Sequence, residues 1–426
     1  MSRFDKLAVE TIVSIFHLTI PSLNDGTPEP LDPRRAQFAL IATCRRWREI
    51  AICQAALWTT IFIILPCPNN RSPIIKRMVE WSAGRPLSIY VANASDYDPD
   101  DGQSIPHMSA VPELIQSLIP NAELLWFDAD PKLTSSFEGI ESGWFPLELP
   151  ESHKLRRLVI GPNSCQEMGN GEDLVSGPLS LPLDIVQIKS YTDNFPSALT
   201  ASPRELFIHA ESSQEVSPEI FDDFTMLSRL ERLSLTFHMD HNLDVLLIHE
   251  NLRSLDILLA HESFYFEEEI LIIDKLPLLE NLVIRVGPRG KQGGGHHSPH
   301  LQLPPLPALK KIILKPSIRH FQTDILYPLY GQCDCLSSLI WRAPNLIMLE
   351  VHQGHAIGAL KKLHQGYRQG SLLVPTCPKL ESIYITGVPP ENDEESPELV
   401  AMSNEVKDLT RKVEAQRPGL RVEWSN

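Results

Sequence analysis

The sequence predicts an α/β protein: a small helical module at the N-terminus, then a long body of short strands joined by helices or loops and stacked in one parallel sheet. Three observations predict it. Helix-spaced apolar residues fill about the first 60 positions. A leucine-rich, strand-like pattern then returns along the rest of the chain at a near-regular interval. The 36 prolines are spread along the sequence, often single and just before short apolar runs, like punctuation between many small units.

The helical module comes first. Leu7, Ile12, Ile15 and Phe16 place apolar groups on one side of a short helix, and the polar stretch PSLNDGTPEPLDP (21–33) breaks it. A second helical region follows over Ala36–Ile52, with Phe38, Leu40, Ile41, Cys44, Trp47 and Ile50 apolar. The β-prone run Leu57–Leu65 (LWTTIFIIL) closes the module. The expected divisions are a helical module over 1–63, a connecting helix or linker over 64–84 and a repeat domain over 85–426.

The repeat reads Leu, two variable residues, Leu or Ile, one variable residue, then Leu, Ile or Val. It occurs at Leu155/Leu158/Ile160, Leu183/Val186/Ile188, Leu230/Leu233/Leu235 and Leu252/Leu255/Ile257. It continues at Leu279/Leu282/Ile284, Leu309/Ile312/Leu314, Leu346/Leu349/Val351 and Leu380/Ile383/Ile385, with weaker copies at Pro203/Leu206/Ile208 and Ala122/Leu125/Phe127. The mean period from Leu155 to Leu380 is about 28 residues, inside the band of leucine-rich repeats. In an extended segment the last two apolar positions share one side. One unit cannot bury that side alone, so neighbours must stack into a solenoid. The intervals are uneven, which predicts an irregular solenoid whose parallel sheet lines a concave face. Intervening segments such as 218–230 and 267–279 are expected to return the chain as short helices.

Composition narrows the function classes. The chain is 42% hydrophobic and 22% charged, as ordinary globular domains are. No stretch approaches the roughly 18 uninterrupted apolar residues of a membrane helix, and the charged N-terminal residues fit neither a signal nor a transit peptide. Seven scattered cysteines make a poor disulfide framework and fit a reducing compartment, cytoplasmic or nuclear. A formal charge of -16 argues against nucleic acid and anionic membrane as partners and leaves proteins as the leading class.

Catalytic signatures are absent: there is no GxSxG, HExxH, CxxC or GxGxxG arrangement. In GPRGKQGGGHHSPH (287–300), Gln292 stands where a phosphate-binding loop needs Ser or Thr. His296, His297 and His300 lie in that Gly-rich tract with no Cys or carboxylate near in sequence, so it reads as a flexible insertion and no metal or cofactor is expected. Cys333 and Cys335 are too close for the usual zinc pairing. His352 and His355 read as solvated histidines at a strand end, and the acidic run 389–398 as a solvated loop.

The head resembles an F-box, the three-helix module that docks onto the Skp adaptor of cullin-based ubiquitin ligases. Leu7, Glu10, Ile12, Ile15 and Phe16 match the family's opening helix; CRRWREIA (44–51), with Cys44 and Trp47, and Leu57-Trp58 match its later signature. MVEWSAGRPLSIYV (78–91) is similar to the segment that comes after the F-box in a large group of proteins from mushroom-forming fungi. Ala8 stands where the family has Pro, Thr11 replaces an apolar residue, and the link over 19–32 is longer than the family's turn. The resemblance implies a client-recognition adaptor, not an enzyme, in which Leu7, Glu10, Ile12, Ile15, Phe16, Cys44 and Trp47 bind the Skp adaptor and through it a cullin ligase. Read without the resemblance, the same residues suit the core of a helical cap on a solenoid.

A client is expected on the concave face, at the strand positions turned away from the core. Lys189, Phe207, His209, Arg285, Lys315, His352 and Tyr384 are the candidates, the cations for an acidic or phosphorylated segment and the aromatics as anchors. The same positions are also what solvated strand residues look like.

Overall fold

The computed structural model describes residues 7–19, 33–67, 71–93, 110–129, 147–148, 154–161, 175–176, 183–188, 203–209, 227–236, 245–259, 270–286, 300–302, 304–316, 340, 342–369, 372–374, 376–386 and 397–425. Two compact units divide the chain, one reaching Ser190 and the other running on from Ser202.

The first unit opens with helices α1 (Val9–Thr19), α2 (Pro33–Thr43) and α3 (Arg45–Cys53). The single helical region expected over 36–52 is thus two helices. Cys44 separates them because its backbone is extended (φ -160°, ψ 168°) and its Sγ accepts from the Trp47 amide as the N-cap of α3. Ile12, Phe16, Leu40, Ala51, Leu57 and Trp58 form the buried core of these helices. The Trp58 indole lies 4.6 Å from that of Trp81 in α4 (Ser72–Trp81), while its Nε1–H donates to the Ala51 carbonyl at 2.8 Å.

Strands β1 (Thr60–Leu65), β2 (Leu87–Asn93), β3 (Ala122–Asp128), β5 (Arg157–Ile160) and β7 (Ile185–Ile188) pair in parallel in that order. Between them come α5 (Ala110–Leu118) and a minor pair, β4 (Leu147–Glu148) with β6 (Val175–Ser176). The run expected to close the helical module is therefore divided. Leu57 and Trp58 stay with the helices, whereas Thr60 begins the first strand of the sheet, because β-branched Ile61, Ile63 and Ile64 suit a pleated, buried surface.

The second unit repeats one strand along its length: β8 (Glu205–His209), β9 (Arg232–Thr236), β11 (Ser254–Leu259), β13 (Asn281–Val286), β15 (Lys311–Pro316), β16 (Met348–His352), β19 (Ser382–Thr386) and β20 (Arg421–Ser425), all parallel. Register is exact in the repeat's own terms. Leu255 lies opposite Leu282, which lies opposite Ile312, then Leu349 and Ile383, so equivalent residues stack and bury one another. Each such side chain contributes roughly 1.5–3 kcal/mol by leaving water.

The prolines explain themselves in the turns. The amides of Leu230, Leu279, Leu309, Leu346 and Leu380 bond to carbonyls three residues earlier, those of Leu227, Leu276, Leu306, Ala343 and Cys377. Pro277, Pro307, Pro344 and Pro378 each sit just inside this turn, where a fixed φ and a missing N–H cost nothing. The turn's first residue is buried in every one of these repeats. The repeat is therefore one step longer than the sequence pattern suggested.

The connection expected as a helix over 267–279 holds a strand instead. β12 (Ile270–Lys275) pairs in parallel with β10 (Val245–Ile248) and β14 (His300–Gln302) in a second, three-stranded sheet, as the apolar run ILII favours. Residues 218–226 lie outside the described residues. Helices α6 (Gln353–Gln365) and α7 (Pro397–Gln416) accompany the last strands, with a minor hairpin of β17 (Tyr367–Gln369) and β18 (Leu372–Val374) between them. The guanidinium of Arg417 follows α7 and bonds to the carbonyls of Cys377 (3.0 Å) and Thr376, while Lys361 pairs with Glu405 across α6 and α7 at 2.8 Å. Together the parallel, strand-per-repeat layout is compatible with leucine-rich repeats. Among the described residues no helix is long and apolar enough to cross a membrane.

Candidate interaction surfaces

In the first unit the two halves of the head motif meet. Arg46 Nη2 donates to the Leu7 carbonyl at 2.7 Å, and the rings of Phe16 and Trp47 meet edge-on at 5.2 Å. The Cys44 cap sets this up, since it starts α3 at the phase that turns Trp47 inward.

The expected adaptor-binding residues separate by exposure. Ile12 and Phe16 are 0% exposed and belong to the core, which corrects their assignment to a docking surface. They face inward because a short helix spends its apolar stripe on the nearest partner helix. Leu7, Ile15, Cys44 and Trp47 are half-buried and Glu10 is exposed. Leu18, one turn after Ile15, is 86% exposed and was not anticipated. The link over 20–32 lies outside the described residues.

The expected client face is less cationic than its sequence suggests. Arg285 on β13 is bound to Asp256 on β11 through Nε (3.0 Å) and Nη2 (2.6 Å). That bond holds the guanidinium pKa above its usual value against the opposing effect of burial. Lys315 lies opposite Arg285 in the register of β15. Phe207, His209 and Tyr384 are half-buried on their strands. His352, expected to be solvated, is only 5% exposed, and burial lowers its pKa. It is withdrawn from the face, because the strand ends there and α6 begins at once. Lys189, Cys333, Cys335, His296, His297 and most of the acidic run lie outside the described residues. Among the described residues no group of three or more His, Cys, Asp or Glu side chains could hold a metal ion.

The first unit carries an aromatic row that sequence reasoning missed. Phe62, Tyr90 and Trp126 are register partners on the other side of the strands from Ile61, Ile89 and Leu125, and Phe62 and Tyr90 are themselves buried. Phe62 and Tyr90 stack at 4.8 Å with 9° between planes, and Tyr90 lies 6.1 Å from Trp126. Burial raises the Tyr90 pKa, an effect the nearby Arg157 opposes.

A column of charges runs along the strand entrances of the second unit. The residue after each turn's leucine is Arg204, Glu231, Arg253, Glu280 and Lys310 in successive repeats, with Arg204 following the Pro203 of the weaker copy. Their backbones are chained, each amide bonding to the preceding carbonyl in the column. Arg204 binds both oxygens of Glu231 (3.2 and 2.9 Å), and Glu280 is shared by Arg253 (2.9 Å) and Lys310 (2.8 Å). These bonds hold the carboxyls of Glu231 and Glu280 below the usual carboxylate range. The column breaks at Ile347 and resumes with Glu381.

Beside this column lies a groove of about 390 Å³, lined by Arg204, Ser228, Arg229, Glu231, Asn251, Arg253 and Leu278. Asn251 ties its wall together by donating Nδ2–H to the Ser228 carbonyl at 2.7 Å. Behind it His249 occupies the turn position that is leucine in neighbouring repeats. Its Nδ1 accepts from the Asn251 amide (3.2 Å), which leaves Nε2–H to donate to the Leu227 carbonyl (3.0 Å). The signal for the groove was present in the sequence as alternating charges after each repeat leucine, but only the register brings them together.

No protein-family model matches the sequence, and no curated protein matches it.

Proposed function

We propose that the chain is the substrate-recognition adaptor of a Skp-cullin-F-box ubiquitin ligase. Its head docks the Skp adaptor, and its repeats hold a client protein. It carries out no chemistry itself; it keeps the client at high effective concentration beside the conjugating enzyme. The observation that carries the reading is the packing of the two motif halves, with Trp47 against Phe16 and Arg46 on Leu7. Those halves are separated by about 30 residues in sequence, and their assembly into one three-helix module is what the F-box resemblance requires. The fungal type, the leucine-rich class of the repeats and a cytoplasmic or nuclear location belong to the same proposal.

The test is co-purification with the Skp adaptor. Because Ile12 and Phe16 are core, the informative variant is Leu18→Asp, which alters an exposed side chain and spares the fold. Wild type is expected to retain the adaptor and the variant to lose most of it. A wild type that fails to bind overturns the reading.

A second reading is favoured by two observations. Ile12 and Phe16 are wholly buried, and Trp58 joins α3 to α4. That is the work of a helical cap on a repeat scaffold that needs no ligase. Adaptor binding decides between them.

A further inference from the structure

We infer that β20 pairs antiparallel with the β20 of a second copy of this chain, joining two sheets across a two-fold axis at Val422. The inference goes beyond the function proposed above and depends on neither the head nor a client. It gives a partner to the outer edge of the last strand of the second unit.

The backbone is the first argument. β20 is the outermost strand of its sheet, and among the described residues only β19 pairs with it. The Arg421 amide donates to the Glu381 carbonyl, so Arg421 and, by alternation, Glu423 turn their backbone groups toward β19. Val422 and Trp424 turn theirs outward, where an added strand would meet them. The core is the second argument. Val422 and Trp424 stand in register with Ile383 and Ile385, which are 0% exposed, yet both remain half-buried. The stack of repeats thus ends with its apolar side partly uncovered, and the end of a solenoid calls for a cover.

Charge is the third argument, and it selects a second copy as the occupant. Arg421 and Glu423 are exposed, and among the described residues neither side chain has a partner. In an antiparallel pair, residues with outward backbone groups must face one another. With the axis at Val422, the two Val422 residues exchange backbone bonds, Leu420 lies across from Trp424, and Arg421 lies across from Glu423 on both sides of the axis. Moving the axis to Arg421 or to Glu423 would set like charges opposite each other, which repel. The edge is therefore complementary to itself in one register. An edge guarded against pairing carries Pro, Lys or charges of one sign; β20 (RVEWS) holds no Pro or Lys and carries both signs. The same patch serves both copies, as a closed two-fold dimer requires.

The experiment is sedimentation velocity of the full chain from about 1 µM to about 300 µM, a span suited to a small interface. Wild type is expected to pass from monomer to dimer. Arg421→Glu and Glu423→Arg should each weaken the dimer by about tenfold or more, because every charged cross-strand pair then carries like signs. Both change exposed side chains, so their circular dichroism should match wild type. The double variant Arg421→Glu/Glu423→Arg restores opposite signs and should recover wild-type association. An equal mixture of the two single variants should recover it too. A monomer throughout the range overturns the inference and leaves the edge to a strand of another protein. A dimer indifferent to the single variants, or one that the exchange of charges fails to recover, also overturns it. Adaptor co-purification is scored separately, so an edge that fails and a head that fails are told apart.

Discussion

Arg285 grips both carboxylate oxygens of Asp256, at 3.0 and 2.6 Å, from two strand positions that a linear reading leaves unrelated. The pair joins β13 to β11 on the side of the strands away from the core. A cation that looked available to a client is engaged within the fold. That face accordingly presents less unengaged positive charge than the sequence implied.

Arg285→Gln should therefore destabilise the second unit. Asp256 has only 19% of its side chain exposed, but Arg285 has 39%, so screening keeps the loss near about 1 kcal/mol. A double-mutant cycle with Asp256→Asn, read by urea unfolding, should recover most of that as coupling energy. Additive single effects would show that the pair contributes nothing.

Glu280 is the anion between two cations, Arg253 and Lys310. Glu280→Lys places three like charges in a row and should lower the unfolding free energy more than Glu280→Gln, by on the order of 1 kcal/mol. High salt should shrink the difference. Because the Glu231 and Glu280 pKa values are lowered in the fold, their contribution is present above the ordinary carboxylate pKa and is lost as pH falls through the lowered values. A difference insensitive to salt would point to packing instead.

His249 gives acid sensitivity at milder pH. Burial lowers its pKa below the ordinary value of 6.5, against the opposing effects of the Leu227 carbonyl and of Glu250. The unfolded chain therefore takes up the proton first. The stability linked to His249 is intact above that ordinary value and declines as pH falls below it. Protonation also costs Nδ1 its acceptor role toward the Asn251 amide. His352 acts in the same direction. His249→Leu, which restores the leucine of neighbouring repeats, should flatten the slope of stability between about pH 7.5 and 5.5. An unchanged slope would assign the effect to His352.

Cysteine labelling offers a test of burial. The Cys377 thiol sits within reach of the Ile340 (3.1 Å) and Ala343 (3.5 Å) carbonyls, and burial pushes its pKa up to about 12. Only the thiolate reacts. Maleimide should modify exposed Cys53 in the native protein and reach Cys377 only in urea, as read by peptide mass spectrometry. Native modification of Cys377 would mean that the turn bound by Arg417 opens readily.

The stacked core was legible because its signal is local. Leu255 and Ile257 alternate within one strand, and the same spacing returns at Leu282 and Ile284, so both sheet and register follow from counting. The prolines marked the turns for the same reason. What escaped notice needs neighbours that sequence order does not supply. The stack of Phe62 on Tyr90 joins strands whose repeats lack the leading leucine, and β12 resembles a helix until β10 and β14 flank it. Exposure escaped too: Ile12 and Leu18 are both apolar and lie on one helix, yet one is core and the other open to solvent. For the groove, Arg204, Arg229 and Arg253 belong to separate repeats, and only their parallel stacking makes them one site.

The alternation of sign from Arg204 to Lys310 imposes an arithmetic on how this chain can change length. Excising a single unit from inside this run would set cation against cation or Glu against Glu at the new junction, whereas excising two in succession keeps plus beside minus. Growth by duplication obeys the same parity. Within the run from Arg204 to Lys310, gain or loss of repeats therefore costs least in electrostatic terms when it comes in twos, a preference that the interchangeable leucines alone would not impose.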